Sequence, residues 1–316
     1  MGTILILCVS PNTNIERTWS IPGLHLGGVF HTQDEVTLAS GKAVNTARAI
    51  QTLGGQALAV GFTAGHSGRL FAELAEGEGL HGEWIWVAGE SRLALALADP
   101  QAPESDATLI SGRGPQVTSA DWQRLSEAVL RQAEQASLVC FAGSFPPSSD
   151  LAIFAELVRR LQAMPRRVWI DLSGAALRAG VSARPSGVKV NAVEASEQTG
   201  LPVSGQESAR QAAAVLRQQG AGWAAVTLGR HGAVLDCGDI AWAASSPQLG
   251  GLRSSVGSGD AFLGGLLVGL EQGRPAHEAL RMAAAAGAAN ALDLGGCRFN
   301  LADYQRALEL IEVQQL

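Results

Sequence analysis

The chain has 316 residues, with 23 Lys+Arg against 29 Asp+Glu, a formal net charge of −6 and a hydrophobic fraction of 47%. That apolar content supports a sizeable core and excludes a disordered chain, while a negative balance without a basic run excludes the clustered positive surface that nucleic acid or an acidic membrane requires. Charged residues are 16% of the sequence and only Lys42 and Lys189 are lysine, so an anionic ligand has to be met by a few local cations.

Met1-Gly2-Thr3 runs directly into Ile4-Leu5-Ile6-Leu7-Cys8-Val9 with no basic leader, and Thr3-Val9 reads as a buried first strand. Polar and apolar residues alternate over Ile15-Leu38 and again over Gly82-Ile110, which predicts a small separate sheet; Ala57-Phe62, lying between them, reads as a central strand. Trp122, Leu125 and Val129 then recur at helical spacing behind the capping pattern Thr118-x-x-Asp121. Further strands are predicted at Ser137-Ala142, Arg167-Asp171, Gly187-Val190 and Trp223-Leu228. Between them, Leu151, Phe154, Val158 and Leu161 mark one helix, and Ser204-x-x-Glu207 opens another carrying Ala209, Ala213 and Leu216. From Gly257 onward the sequence reads as helix, with Ala-rich segments at Pro275-Leu292 and Leu301-Val313. This alternation predicts an α/β protein with a parallel sheet between helices and no linker that splits the chain.

Cys8, Cys140, Cys237 and Cys297 form no Cys-x-x-Cys pair, and the six histidines show no paired ligand spacing. They predict reduced thiols and no zinc. Apolar stretches are interrupted before membrane-spanning length, and the expected location is cytoplasmic.

The most specific segment is Ser254-Ser255-Val256-Gly257-Ser258-Gly259-Asp260-Ala261-Phe262-Leu263-Gly264-Gly265. Small residues at 257–259 let the chain turn tightly into a helix, where unpaired N–H groups converge on an anion. Asp260, in the first turn, either takes a proton from an attacking hydroxyl or only complements the helix dipole. Ser40-Gly41-Lys42-Ala43-Val44-Asn45 is a second glycine turn entering a helix. Here Lys42 supplies charge and Asn45 can bond a polyol, unless both are ordinary helix residues. Lys189-Val190-Asn191-Ala192-Val193-Glu194 follows a strand; Asn191 and Glu194 have capping spacing, and on the functional alternative Glu194 orients metal-bound water near nucleotide phosphates. Thr227-Leu228-Gly229-Arg230-His231-Gly232 reads as strand, tight turn, strand, with glycines that either turn the chain or admit a ligand to the backbone. Gly143-Ser144-Phe145-Pro146-Pro147 and Asp171-Leu172-Ser173-Gly174 put polar groups at the carboxyl edge of the sheet, where ligands of open α/β folds bind. No P-loop and no early Gly-x-Gly-x-x-Gly is present.

Taken in this order, the segments resemble the ribokinase-like (PfkB) carbohydrate kinase family across essentially the whole chain. Ser10-Pro11, Ser40-Gly41-Lys42-x-x-Asn45, Gly89-Glu90-Ser91-Arg92 and Gly114-Pro115 resemble its hexose-phosphate branch, that of 1-phosphofructokinase and tagatose-6-phosphate kinase. The resemblance implies one kinase domain over 1–316, a three-layer α/β/α fold with a small β lid built from about 12–38 and 83–110, and homodimers formed through that lid. It implies transfer of the γ-phosphoryl group of ATP, with Mg²⁺, to a hydroxyl of fructose 1-phosphate, tagatose 6-phosphate or fructose 6-phosphate. Asp260 is then the base, and Gly257, Ser258 and Gly259 the anion hole. Lys189, Asn191 and Glu194 serve nucleotide phosphates and metal, with Thr227, Gly229 and Gly232 along the nucleotide. Asn14, His31, Ser40, Gly41, Lys42, Asn45, Arg92 and Ser144 face the sugar or its phosphate.

The sugar end departs from the branch's pattern. Asn14 stands in place of an aspartate, Ser40 and Ala43 in place of glycines, His31 in place of an arginine, and Ser111 in place of an asparagine. Val190 replaces a proline and Ser148 a glycine. Two alternatives follow from these changes: a kinase of an unphosphorylated sugar or nucleoside, or a sugar-phosphate-binding regulatory module without catalysis.

Overall fold

A computed structural model describes residues 5–32, 34–101, 107–247 and 249–316. Thr3 and Ile4 of the predicted first strand, and residues 33 and 102–106 of the predicted lid segments, lie outside the described residues.

The chain opens with β1 (Leu5–Ser10), β2 (Asn14–Ser20) and β3 (Asp34–Ser40), then α1 (Lys42–Thr52), β4 (Gln56–Ala64), α2 (Gly65–Gly77), β5 (Gly82–Val87), β6 (Arg92–Ala98) and β7 (Thr108–Ser111). The middle alternates α3 (Ser119–Ala133), β8 (Ala136–Ala142), α4 (Leu151–Gln162), β9 (Arg167–Asp171), α5 (Gly174–Ser182), β10 (Gly187–Asn191), α6 (Ala192–Thr199), α7 (Gln206–Gln218) and β11 (Trp223–Thr227). A 3₁₀ turn at Gly229–His231 leads to β12 (Ala233–Asp236) and β13 (Ala241–Ala244), followed by α8 (Ser258–Glu271), α9 (Ala276–Asn290), α10 (Leu301–Leu310) and β14 (Val313–Gln315).

The large sheet has the order β14-β13-β12-β11-β10-β9-β8-β1-β4-β5. From β5 to β11 its pairs are parallel, and β12, β13 and β14 add antiparallel ribbons. Apolar side chains fill both faces of these strands, Val, Ile and Phe on one and mainly Ala, Cys, Leu and Trp on the other, the pattern of a sheet covered on both sides. On one face, Trp122, Leu125, Phe154, Leu157, Val158, Leu177, Ala209 and Leu216 pack on Val139, Phe141, Val168, Ile170 and Val188. On the other, Ala47, Ile50, Leu263, Leu266, Ala283 and Ala286 pack on Ile6, Cys8, Cys140 and Trp169. These are the three layers the sequence predicts.

A second sheet, β3-β2-β6-β7, stands apart from the large one. It draws two strands from each alternating stretch, but residues 82–87 do not join it: as β5 they pair with β4 in the large sheet. Trp84 of β5 packs edge-on against Phe71 of α2 at 4.7 Å between ring centroids, and that contact holds this edge strand to the main body. Three further differences are local. The last helix stops at Leu310 rather than Val313, because Val313 pairs with Ala244 in the sheet. Residues 291–300 are non-helical. Helix α7 starts one residue later than Ser204 as cap implies: Gly205 is the cap, and the Ser208 hydroxyl accepts from the Ser204 and Gly205 N–H groups. The predicted cap at Thr118 and Asp121 is present as a reciprocal capping box.

Because the parallel strands share one direction, their carboxyl ends gather Ser10, Gly143, Asp171, Asn191 and Thr227 along one edge. Strand order reverses between β1 and β8, which leaves a crevice at that edge.

Candidate active site

Two lysines meet one buried carboxylate at the middle of this edge. Asp171, fully buried at the end of β9, binds Lys42 Nζ through Oδ1 at 2.9 Å and Lys189 Nζ through Oδ2 at 2.7 Å. Burial pushes the Asp171 carboxyl up, but the two ammonium groups outweigh it and hold the group below the usual carboxylate range. Lys42 also reaches Glu194 Oε1 at 3.3 Å. Burial favours its neutral form, and Asp171, Glu194 and Asp260 reverse that, so the ammonium is held well above its ordinary value. Glu194 is fixed by the α6 capping box: its N–H takes Asn191 Oδ1 and its Oε2 accepts the Asn191 N–H, both at 2.9 Å. Asn191 therefore has the structural role its spacing allows.

Asp260 lies in the first turn of α8 and is 6% exposed. Asn45 Nδ2 donates to its Oδ2 at 2.9 Å. The direction of that amide is set from behind by Arg48 Nη1, which donates to Asn45 Oδ1 at 2.9 Å, and Ser40 Oγ stands 3.2 Å from the same oxygen. Burial raises the Asp260 carboxyl and Asp171 adds to it, while Lys42, Lys189 and Asn45 pull the other way; the group is pushed up to about 7. A carboxylate half ionised near neutrality can accept a proton from a hydroxyl.

The turn before Asp260 has Gly257 at φ 82°, a left-handed conformation that glycine adopts without cost. A Cβ there would stand 2.6 Å from Gly296 Cα, and one on Gly259 would stand 2.8 Å from Lys189 Nζ. The three N–H groups do not all face open space. Ser258 N–H donates to Ser255 O at 3.1 Å and Asp260 N–H to Gly257 O at 3.0 Å, because the left-handed cap tightens the turn. An anion would compete for these long contacts. Asn290 of α9, fully buried, braces the turn by donating to Val256 O at 2.8 Å and to Ser258 Oγ at 3.1 Å, while its Oδ1 accepts the Cys297 N–H at 2.7 Å.

On one side of this turn runs a cleft of about 710 Å³. It joins Thr227, Gly229 and Gly232 to Ser258 and Gly259, with Phe262 along its wall. On the other side lie the sugar-end residues. Arg92 of β6 donates to Asn12 O and Asn14 Oδ1 at 3.3 Å each and to the Ser111 hydroxyl. Burial lowers its pKa and Glu16 opposes that shift. Asn12 Nδ2 bridges the strand-order reversal, donating to Ser144 Oγ and Arg113 O at 3.2 Å each. Gly41 has φ 127°, and its missing Cβ leaves room for Ser10 Oγ. His31 is exposed in the connection from β2 to β3, and among the described residues no hydrogen bond or ion pair joins it to the other site residues.

The structure thus gathers Lys42, Asn45, Lys189, Glu194, Gly257, Ser258, Gly259 and Asp260, flanked by the cleft on one side and Arg92, Asn14 and Ser144 on the other. Asp171, from the Asp171-Leu172-Ser173-Gly174 segment, joins the same network, and so do Glu16, Asn12, Arg48 and Asn290, which had no motif of their own. Asp171 alone had a sequence signal, its place at the end of a predicted central strand. Among the described residues, no group of three or more His, Cys, Asp or Glu side chains is arranged to hold a metal by itself.

The chain is 31% identical over 284 residues to the 1-phosphofructokinase of Rhodobacter capsulatus, covering 90% of this chain and 89% of that one. It is 30% identical over 250 residues to the 1-phosphofructokinase of Escherichia coli (strain K12), 79% of each. The solved structure of phosphofructokinase-2 from Escherichia coli in complex with substrates and products matches with a TM-score of 0.86 at 25% identity, covering 97% of this chain and 98% of that one. The family model described as pfkB family carbohydrate kinase matches residues 23–302. That span includes Arg92, both lysines and the whole Gly257–Asp260 turn, and the chain belongs to the pfkB family of carbohydrate kinases, ATP-dependent phosphotransferases.

Proposed function

We propose that the protein transfers the γ-phosphoryl group of ATP to a hydroxyl of a ketohexose phosphate, with Asp260 as general base. One observation carries this reading: a buried carboxylate, pushed up to about 7, stands at the helix turn between a cleft of about 710 Å³ and the side of the site that carries Arg92 and Asn14. Similarity to proteins named 1-phosphofructokinase supports the substrate class.

The nucleotide lies along Thr227, Gly229 and Gly232, with its terminal phosphate at Gly257, Ser258 and Gly259. The acceptor lies under the small sheet, its phosphate on Arg92 and its hydroxyls toward Asn14, Ser40, Gly41 and Ser144. Asp260 takes the proton as the sugar oxygen attacks the γ-phosphorus; the bond to the bridging oxygen breaks and ADP leaves. Lys189, seated under Gly259, and Lys42, held by Asp171, stabilise the transferring charge, since phosphoryl transfer depends mainly on positioning and electrostatics. Asn45 keeps Asp260 in line instead of reaching freely for a polyol.

A divalent ion would come with the nucleotide's phosphates, since among the described residues no three His, Cys, Asp or Glu side chains form a cage. Glu194 fits that use: it is anchored by its capping box and its Oε1 has only the long contact to Lys42. Mg²⁺, when bound, neutralises phosphate charge. The small sheet acts as a lid, and its outer face, with Leu93 and Ile110 each 58% exposed, is the surface through which two copies pair. A monomeric mass by light scattering contradicts the pairing.

ADP release measured with fructose 1-phosphate, fructose 6-phosphate and tagatose 6-phosphate tests the activity. Turnover of one of them is expected. Turnover confined to an unphosphorylated sugar or nucleoside moves the protein to another substrate class, and binding without turnover makes it a regulatory module.

A further inference from the structure

Glu16 is a buried carboxylate that the reaction above does not use. It lies on the inward face of β2, only 5% exposed, and its hydrogen-bond partners among the described residues are all neutral. Ser40 Oγ donates to Oε2 at 3.0 Å, the Gly296 N–H donates to Oε1 at 3.2 Å, and Thr18 Oγ1 donates to Oε1 at 3.4 Å. A carboxyl group buried in such a place is costly unless its hydrogen bonds are well made, so its surroundings hold their geometry closely.

Both Ser40 and Gly296 stand against the Asn45 amide that bonds Asp260: a Cβ on Gly296 would meet Asn45 Nδ2 at 2.6 Å. Ser40 Oγ also lies 3.2 Å from Asn45 Oδ1, and Asn45 Nδ2 donates to Asp260. Gly296 packs on Gly257, closely enough that a Cβ on Gly257 would stand 2.6 Å from its Cα, and Gly296 O accepts Arg48 Nη1 at 2.8 Å. A hydroxyl has one proton. The Glu16 carboxylate competes for it and fixes where Ser40 sits, while Arg48 remains as a donor that turns the Asn45 amide toward Asp260. Both the Ser40 hydroxyl and Glu16 sit in one lid-to-turn junction, where strand β2, the Ser40–Lys42 turn and the 295–297 segment meet.

We infer that Glu16 is a positioning residue: by holding Ser40 and Gly296, the two neighbours of the Asn45 amide, it keeps the small sheet in register with Asp260 and the Gly257 turn. The inference rests on Asp260 being the base. Because Glu16 acts through other groups, its loss reduces the rate of the chemical step more than the affinity for either substrate.

The test is steady-state kinetics of the full chain with ATP and whichever of the three sugar phosphates turns over best. Glu16→Ala lowers kcat about tenfold or more, as small misplacements of reacting groups do, and leaves both KM values within about threefold. Glu16→Gln retains an acceptor for the Gly296 N–H and an amide beside Ser40 Oγ, and recovers most of the loss. Ser40→Ala lowers kcat as well, beside any change in the sugar KM from its place at the acceptor, which keeps the test open if Glu16→Ala does not fold. The double variant Glu16→Ala/Ser40→Ala falls short of the sum of the two effects, as expected for residues acting in one path. A parent-like kcat in folded Glu16→Ala or in Ser40→Ala overturns the inference. So does a loss confined to KM, a Gln variant as impaired as Ala, or full additivity. An Asp260→Ala control separates the two claims, since parent-like turnover there removes the base assignment whatever Glu16 does.

Discussion

Asn45 and Asp260, 215 residues apart in sequence, share a hydrogen bond of 2.9 Å at the junction of α1 and α8. The bond brings the two glycine turns of the chain together, one from the sugar end and one from the phosphoryl end, and it favours the ionised form of a carboxylate that burial pushes up to about 7.

The rate should therefore rise with pH through about 7, as Asp260 loses its proton. Asn45→Ala removes a donor to the carboxylate, so the ascending limb of kcat moves to higher pH and turnover at pH 7 falls about tenfold or more. A pH–rate series on both proteins checks this.

Stability carries the opposite sign. The folded-state pKa of Asp260 lies above the ordinary value of 3.8, so its contribution is full below about pH 4 and is lost progressively until pH passes about 7. Asp260→Asn, which cannot ionise, should gain in melting temperature over the parent, with a larger gain at pH 8 than at pH 5. Equal gains at the two values contradict the raised pKa.

Lys189 is 3% exposed, 2.7 Å from Asp171 and directly beneath Gly259. A guanidinium is a broad planar fork and does not fit a slot shaped for a compact ammonium. Lys189→Arg should lower kcat about a hundredfold, and Lys42→Arg, at a more open position, about tenfold. Initial rates at saturating ATP measure both, and parent-like rates show that only charge matters there.

Ser148 has φ 63°, a left-handed conformation, on an exposed turn after the double proline. A side chain costs about 1–2 kcal/mol in that region, partly offset by the greater freedom of glycine when unfolded. Ser148→Gly should raise stability by about 0.5–1 kcal/mol without altering turnover. Chemical denaturation with matched kinetics is the check.

Much of this was legible from the sequence because the signals are local. Central strands are short Val- and Ile-rich runs, and the turns at Gly41 and Gly257 are glycine positions that other residues strain to occupy. The family followed from motif order. What was not legible depends on long-range pairing. Asp171 gains its role from lysines 129 and 18 residues away. Glu16 sits in Ile15-Glu16-Arg17-Thr18, where the two-residue period of a strand shows that Glu16 and Thr18 share a face but not that this face is buried. Trp84 and its neighbours alternate like the small sheet yet pair with β4, since periodicity does not name the partner strand.

The most direct test is Asp260→Ala, assayed for ADP formation with ATP and the preferred sugar phosphate while binding of each substrate is measured by calorimetry. Turnover should fall by about three orders of magnitude or more, with both ligands still bound at near-parent affinity. Turnover close to that of the parent contradicts the assignment of Asp260 as the base.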